Sequence, residues 1–266
     1  MIKSLLIKNI KQIITCDVSD TVINNSNMLM SNGEIKYIGK DTFEADEVID
    51  ATGMVMYPGL INTHHHLYQI FTRNLPQVQN LELFDWLITL YEIWKNIDSD
   101  VILYTSLVGM GELLKNGCTT CFDHHYVFPK GQSHLIETQF EAANTLGIRM
   151  HASRGSMSLS KKDGGLPPDS VVQTTDEILT DSQRLIEKFH DPSKFSKSQI
   201  ALAPCSPFSV TQDLMIQSAS LARDYGVRLH THLAETRDED DYILKNHGIR
   251  PLEFMEKLGW IGDDVW

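Results

Sequence analysis

Pro58-Gly59-Leu60-Ile61-Asn62-Thr63-His64-His65-His66 brings a short apolar run to its end on three consecutive histidines. Successive side chains of a strand point to opposite faces, so His64 and His66 share a face while His65 turns away. Two imidazoles on one face at a strand end form a candidate pair of metal ligands. The run is internal and follows Pro-Gly and an apolar pair, which separates it from an expression tag. A second pair, His230 and His232, lies in Val227-Arg228-Leu229-His230-Thr231-His232-Leu233-Ala234-Glu235, again where a β-prone run meets a polar turn. Two such pairs far apart in the chain are a much more specific signal than one.

Around these words the chain changes character once. Up to about Tyr57 it is a series of short β-prone runs, Leu5 to Ile10, Gln12 to Cys16, Asn27 to Met30, Glu34 to Ile38 and Glu47 to Ile49, with Asn32-Gly33 as a hairpin signal. From there on strands alternate with helices, the pattern of a parallel sheet or barrel. The strands are placed at Val55 to Asn62, Thr119 to Asp123, Ile148 to Ser153, Gln199 to Pro204 and Val227 to His232. Between them, Leu83, Leu87, Leu90, Tyr91 and Trp94 form one helical stripe, and Leu103, Leu107, Met110 and Leu114 another. Thr174 with Glu177 makes a capping box, and Thr211 opens a helix that stops at Gly226. The boundaries implied are 1–57 for a small β domain and 58–266 for the α/β part. The stretch from Ser156 to Gln173, rich in Gly, Pro and Ser, reads either as a lid over a pocket or as a passive surface loop.

The chain has 266 residues, 42% hydrophobic and 22% charged, an ordinary composition for a globular protein. A formal net charge of −12 with no basic stripe argues against a nucleic-acid backbone as partner and suits a small neutral substrate. No apolar run approaches the roughly 20 residues of a membrane span, and the amino terminus has no secretory pattern, so the cytoplasm is the default location. Cys118 and Cys121 have the spacing of a redox or zinc motif. They fall, however, on one strand after a helix-ending Gly117, three residues apart and so on opposite faces, which favours buried thiols. Cys205, at a strand end, either lines a pocket or is packed.

Together, N-T-H-H-H and H-T-H-L-A-E resemble the first and fifth strand ends of the amidohydrolase superfamily. Narrower words resemble the 8-oxoguanine deaminases and their relatives the hydroxyatrazine and triazine hydrolases: His66-Leu67-Tyr68-Gln69, Leu83-Phe84-Asp85-Trp86-Leu87, Gly164 to Ser170, and Ala203 to Val210. The resemblance runs nearly the whole length of the chain. It implies an α/β fold, a metal-dependent (β/α)8 TIM-type barrel with the metal at the carboxyl ends of the strands, preceded by the first part of a small β-sandwich. It implies His64, His66 and His232 as ligands of one Zn²⁺, with Fe²⁺ also suited to such a set, and His230 as a packed or outer group. Glu235 is the implied catalytic acid, placed to protonate a ring nitrogen and pass a proton to departing ammonia. Gln69 reads a purine-like edge, and Arg154, His125 and Cys205 are further candidates for substrate contact. Of His124 and His125 only one can face the barrel mouth, and alternation alone does not choose. The acidic run Asp238 to Asp241 reads as the first turn of a helix.

The implied reaction is zinc-dependent removal of the exocyclic amino group of an oxidised purine, 8-oxoguanine to urate and ammonia, with a triazine or pterin hydrolase as the neighbouring reading. Gly259 to Trp266 looks like the lead into a sixth strand. The strand-six histidine and strand-eight aspartate of the family would lie beyond it, so about five barrel strands are expected. A different class of reading follows: a catalytically inactive remnant, or one half of a split enzyme. Family members commonly associate through barrel helices, which implies a homo-oligomer for a full-length protein.

Overall fold

The computed structural model describes residues 3–266, which divide into a unit of residues 3–60 and a unit of residues 61–266. The first unit is a sheet of β1 (Ser4–Ile14), β2 (Val22–Ser31), β3 (Glu34–Gly39), β4 (Glu47–Asp50) and β5 (Val55–Met56), in the order β3-β2-β1-β4 with β5 also on β1. β2 and β3 are joined at Asn32-Gly33, both at positive φ (52° and 79°), the left-handed pair that a tight hairpin turn requires. Ile10, Ile13, Met28 and Ala51 form its buried centre.

Two strand boundaries differ from the sequence reading. Leu5 to Ile10 and Gln12 to Cys16 are one strand, β1, whose pairing with β2 slips between Ile7 and Ile10. Asn9 there has φ 60° and gives its backbone N–H to the Asn27 side chain, so a bulge imitates a break. The run from Val55 to Asn62 is instead divided. β5 pairs with β1, and β6 (Leu60–Asn62) joins a second sheet. Pro58, with no N–H to give a ladder, lies at the division.

The second unit runs β6, α1 (Leu83–Trp94), α2 (Ser99–Lys115), β7 (Cys118–Asp123), α3 (Leu135–Leu146), β8 (Arg149–Ser156), α4 (Thr175–Phe189), β9 (Ser198–Pro204), α5 (Gln212–Tyr225), β10 (Arg228–Leu229), α6 (Arg237–His247) and α7 (Pro251–Lys257). Sheet order β10-β9-β8-β7-β6 follows chain order, and β7 to β10 are parallel, the succession of a curled half-barrel. The Thr174 capping box forms with both of its bonds, and Asp98 and Thr211 cap α2 and α5. The core is continuous from Tyr68 and Trp94 to Trp260, whose indole N–H finds the Met215 carbonyl. Gly155 allows β8 to run close to the end of β7, since a Cβ there would sit 2.2 Å from the His125 carbonyl oxygen. No helix among the described residues is long and apolar enough to cross a membrane.

β10 is shorter than Val227 to His232. The chain nevertheless keeps to β9 beyond it, for the N–H of His230 bonds the Leu202 carbonyl and that of His232 the Cys205 carbonyl. The histidine pair therefore stays at the strand ends although regular pairing stops at Leu229.

Candidate metal centre

The turn after β6 and the turn after β10 bring their histidines together. His64 Nε2 lies 3.1 Å from His66 Nε2, which lies 3.1 Å from His232 Nε2. The opposite edge of two of these rings faces a backbone carbonyl: His66 Nδ1 is 2.7 Å from the oxygen of His124, and His232 Nδ1 is 2.6 Å from that of Cys205. A carbonyl can only accept, so both Nδ1 atoms carry hydrogen and both Nε2 atoms of the neutral rings present lone pairs. His64 Nδ1 is in turn 2.8 Å from His230 Nε2, which places His230 behind a ligand candidate.

Lone pairs meeting at 3.1 Å repel unless a cation lies between them. Nitrogens bound to tetrahedral zinc at about 2.05 Å stand about 3.3 Å apart, so this donor set fits zinc with little adjustment. Burial keeps the rings neutral. His64 is pushed down to about 4, with the charge of His232 adding to the effect, and His66 and His232 are also lowered by burial.

A fourth imidazole belongs to the cluster. One nitrogen each from His64, His66, His124 and His232 lies within 4.8 Å of the others. His124 stacks on His232, gives Nε2–H to the Ala203 carbonyl at 3.0 Å, and leaves a buried Nδ1 with no partner. Sequence alternation left His124 and His125 undecided; the structure turns His124 to the cluster. His125 is fully buried against Tyr68 and Phe128 and is not among the residues that line the cavity beside the histidines.

That cavity, about 330 Å³, lies at the small end for small-molecule sites. His66, Gln69, Tyr126, Cys205, His232 and Glu235 are in its wall, with Trp86 and Phe208 as its aromatic surfaces. Glu235 is raised by burial, so its carboxyl holds a proton more readily than a surface glutamate. The Cys205 thiol is pushed up to about 12 by burial and is therefore a neutral wall rather than a nucleophile at pH 7. Arg154 is elsewhere. Its guanidinium is buried, paired with Asp181 at 2.7 Å and Gln173 at 2.8 Å and laid over Phe128, so its donors are spent on holding β8 to α4. Arg154 is not among the residues that line the cavity.

The Ser156 to Gln173 stretch is fastened rather than hinged. Ser158 and Leu159 both donate to the Ser209 carbonyl, Gln173 donates to Met157, and the Tyr242 hydroxyl reaches Gly164. None of its residues is in the cavity wall. Cys118 and Cys121 are both buried free thiols.

Two carboxylates that the sequence reading passed over hold the histidine turns. Asp123, at the end of β7, accepts the N–H of Leu67 at 2.6 Å and the Gln139 amide at 2.5 Å. Glu239, in the first turn of α6, accepts the N–H groups of Ala234 at 2.9 Å and Glu235 at 2.8 Å. Both are fully buried. Thr236-Arg237-Asp238-Glu239 has the spelling of a capping box, yet Thr236 makes no side-chain cap and the carboxylate reaches past it.

Comparison with known proteins agrees with this geometry. The model of the amidohydrolase family matches residues 55–265. The chain is 48% identical over 82% of its length to an 8-oxoguanine deaminase of Pseudomonas aeruginosa, covering 48% of that protein. It is 40% identical over 96% of its length to a hydroxydechloroatrazine ethylaminohydrolase of Pseudomonas sp. strain ADP, covering 56% of it. Among solved structures, the atrazine chlorohydrolase TrzN of Arthrobacter aurescens TC1, complexed with zinc, superposes with a TM-score of 0.91 at 34% identity, over 98% of this chain and 60% of that one. The chain thus spans about half the length of the curated relatives it matches. Matched by the family model over most of its residues, and with a histidine cluster at its strand ends, the chain belongs to the amidohydrolase family.

Proposed function

We propose that this chain acts in a zinc-dependent aminohydrolase that removes the exocyclic amino group of a purine-like ring, foremost 8-oxoguanine, by the reaction 8-oxoguanine plus water to urate plus ammonia. The observation that carries the reading is the convergence of three imidazole nitrogens beside the Glu235 carboxyl in the wall of a cavity of purine-accommodating size. The 48% identity to an 8-oxoguanine deaminase supports the choice of ring.

In this reading His64, His66 and His232 hold the ion, with His124 beside them. Zinc so held would lower the pKa of a water to about 7 and thus supply the nucleophile at neutral pH. Groups behind the ligands orient them: the backbone carbonyls of His124 and Cys205 accept the Nδ1 hydrogens of His66 and His232, and His230 faces Nδ1 of His64. Glu235, whose carboxyl desolvation inclines to hold a proton, donates it to a ring nitrogen as the amino-bearing carbon becomes tetrahedral, then takes up the proton given up by the attacking water and passes it to the leaving nitrogen. Gln69 offers both a donor and an acceptor to the polar edge of the ring, and Trp86 and Phe208 offer it flat apolar surfaces. Zinc is preferred to iron because the TrzN relative is complexed with zinc. We place the activity in the cytoplasm, in an assembly of like chains, on a small neutral substrate.

The test is ammonia release by the complete natural polypeptide that carries this sequence, loaded with zinc, on 8-oxoguanine, guanine, isoxanthopterin and hydroxyatrazine. Turnover is expected to be fastest on 8-oxoguanine, with urate as the second product. Ammonia from none of the four would contradict the reading, and faster turnover of the triazine would move the substrate class.

A further inference from the structure

We infer that Glu239 is a positioning residue for Glu235: its buried carboxylate fixes the turn from which Glu235 enters the cavity. This inference rests on Glu235 being the proton-transfer group proposed above. Ala234 holds φ at +55°, a left-handed conformation that a residue with a Cβ adopts only at a cost and only when its surroundings over-determine it. The two oxygens of Glu239 each accept one N–H, that of Ala234 at 2.9 Å and that of Glu235 at 2.8 Å, so the peptide on either side of the Ala234 Cα is held from one point.

Glu239 has 0% exposure, and its carboxylate has no cation beside it among the described ion pairs. Burying an unpaired carboxylate is expensive, and charge-assisted bonds to two backbone N–H groups are what offset it here. An ordinary capping box would have spent this side chain on the N–H of Thr236, the residue that opens α6. Here it reaches one and two residues further back, to the segment that carries the Glu235 side chain, while Thr236 Oγ1 is left buried without a partner. The arrangement serves the turn rather than the helix end.

The test is a double-mutant cycle on the zinc-loaded complete polypeptide with 8-oxoguanine. Glu239→Gln keeps the shape of the side chain but turns one acceptor into a donor facing an N–H. It is expected to lower kcat roughly 10- to 100-fold, with KM within about threefold and zinc content unchanged. In the Glu235→Gln background the same substitution is expected to change kcat by less than about threefold, because its effect passes through Glu235. A merely structural role would give the same loss in both backgrounds, and that result, or kcat within twofold of the parent in Glu239→Gln alone, would overturn the inference. Should Glu239→Gln not fold, Glu239→Asp, which keeps the charge and withdraws the oxygens, is carried through the same cycle with the same expected and overturning results. If Glu235→Gln itself keeps full activity, the reading of Glu235 fails instead, and the two failures are told apart.

Discussion

The two histidine turns solve one problem with carboxylates of different reach. After β6, the N–H that follows His66 is held by Asp123, 56 residues away on β7, and Asp123 is itself held by Gln139 of α3. After β10, the N–H groups that follow His232 are held by Glu239, only four to five residues on. One fastening therefore ties three elements of the barrel to each other, whereas the other is local to the start of α6. The first should matter to folding, and the second to the placement of one side chain.

The largest effect tests what the two turns share. His66→Ala and His232→Ala each remove a nitrogen from the centre, and each should weaken zinc by more than the roughly 10- to 100-fold typical of losing a group behind a ligand. Competition with a chromophoric chelator reads this, and a tenfold difference between the two variants would show that the turns are not equivalent. Next, Glu235→Gln should lower kcat by about 10²- to 10⁴-fold, the usual span for a positioned proton donor, with zinc retained. Loss of zinc in that variant would recast Glu235 as part of the metal site.

The comparison itself is sharpened by stability. Asp123→Ala leaves the Leu67 N–H and the Gln139 amide without an acceptor in a buried place and should cost about 3 kcal/mol in denaturant unfolding. Glu239→Gln, with one of its two bonds intact, should cost about 1 kcal/mol. Equal costs would erase the distinction between a long-range and a local fastening.

The smallest effect is in pH. Burial lowers His125 and His230 to about 3 and His64 to about 4, from an ordinary value of 6.5. The unfolded chain therefore binds more protons, and stability is lost as pH falls from 6.5 through those values. Asp123 works the other way. Burial raises it from 3.8 to about 7, so its share of stability is complete below 3.8 and is lost as pH rises through 7. Metal-free protein should accordingly melt at lower temperature as pH falls from 6.5 to 4. Asp123→Asn should make that fall steeper, by at most about 1.4 kcal/mol per pH unit. A shallower fall in the variant would contradict the raised Asp123.

Much of this was legible in the chain. The two histidine words pointed to His64 and His66 side by side, although both lie in the turn after β6 rather than on the strand, and alternation of strands with amphipathic helices announced the parallel sheet. The β1 bulge at Asn9 and the division at Pro58 were not legible as such, because a bulge and a break carry the same polar residues in sequence. His124 could not be separated from His125, since the choice is made by long-range bonds: the N–H of His124 to the His65 carbonyl and its ring to Ala203. Arg154 read as a pocket residue from its strand-end position, and only the fold brings Asp181 and Gln173 to claim it. Glu239 was hidden in an acidic run that reads as a solvated helix start, although its side chain is the most buried of that run.

Zinc stoichiometry of the purified complete polypeptide, by plasma mass spectrometry on the parent and on His66→Ala and His232→Ala, tests the central claim most directly. One zinc per chain in the parent, lost from both variants, is the predicted result. A parent that takes up no zinc, or variants that both retain it, would contradict a metal centre built from the two turns.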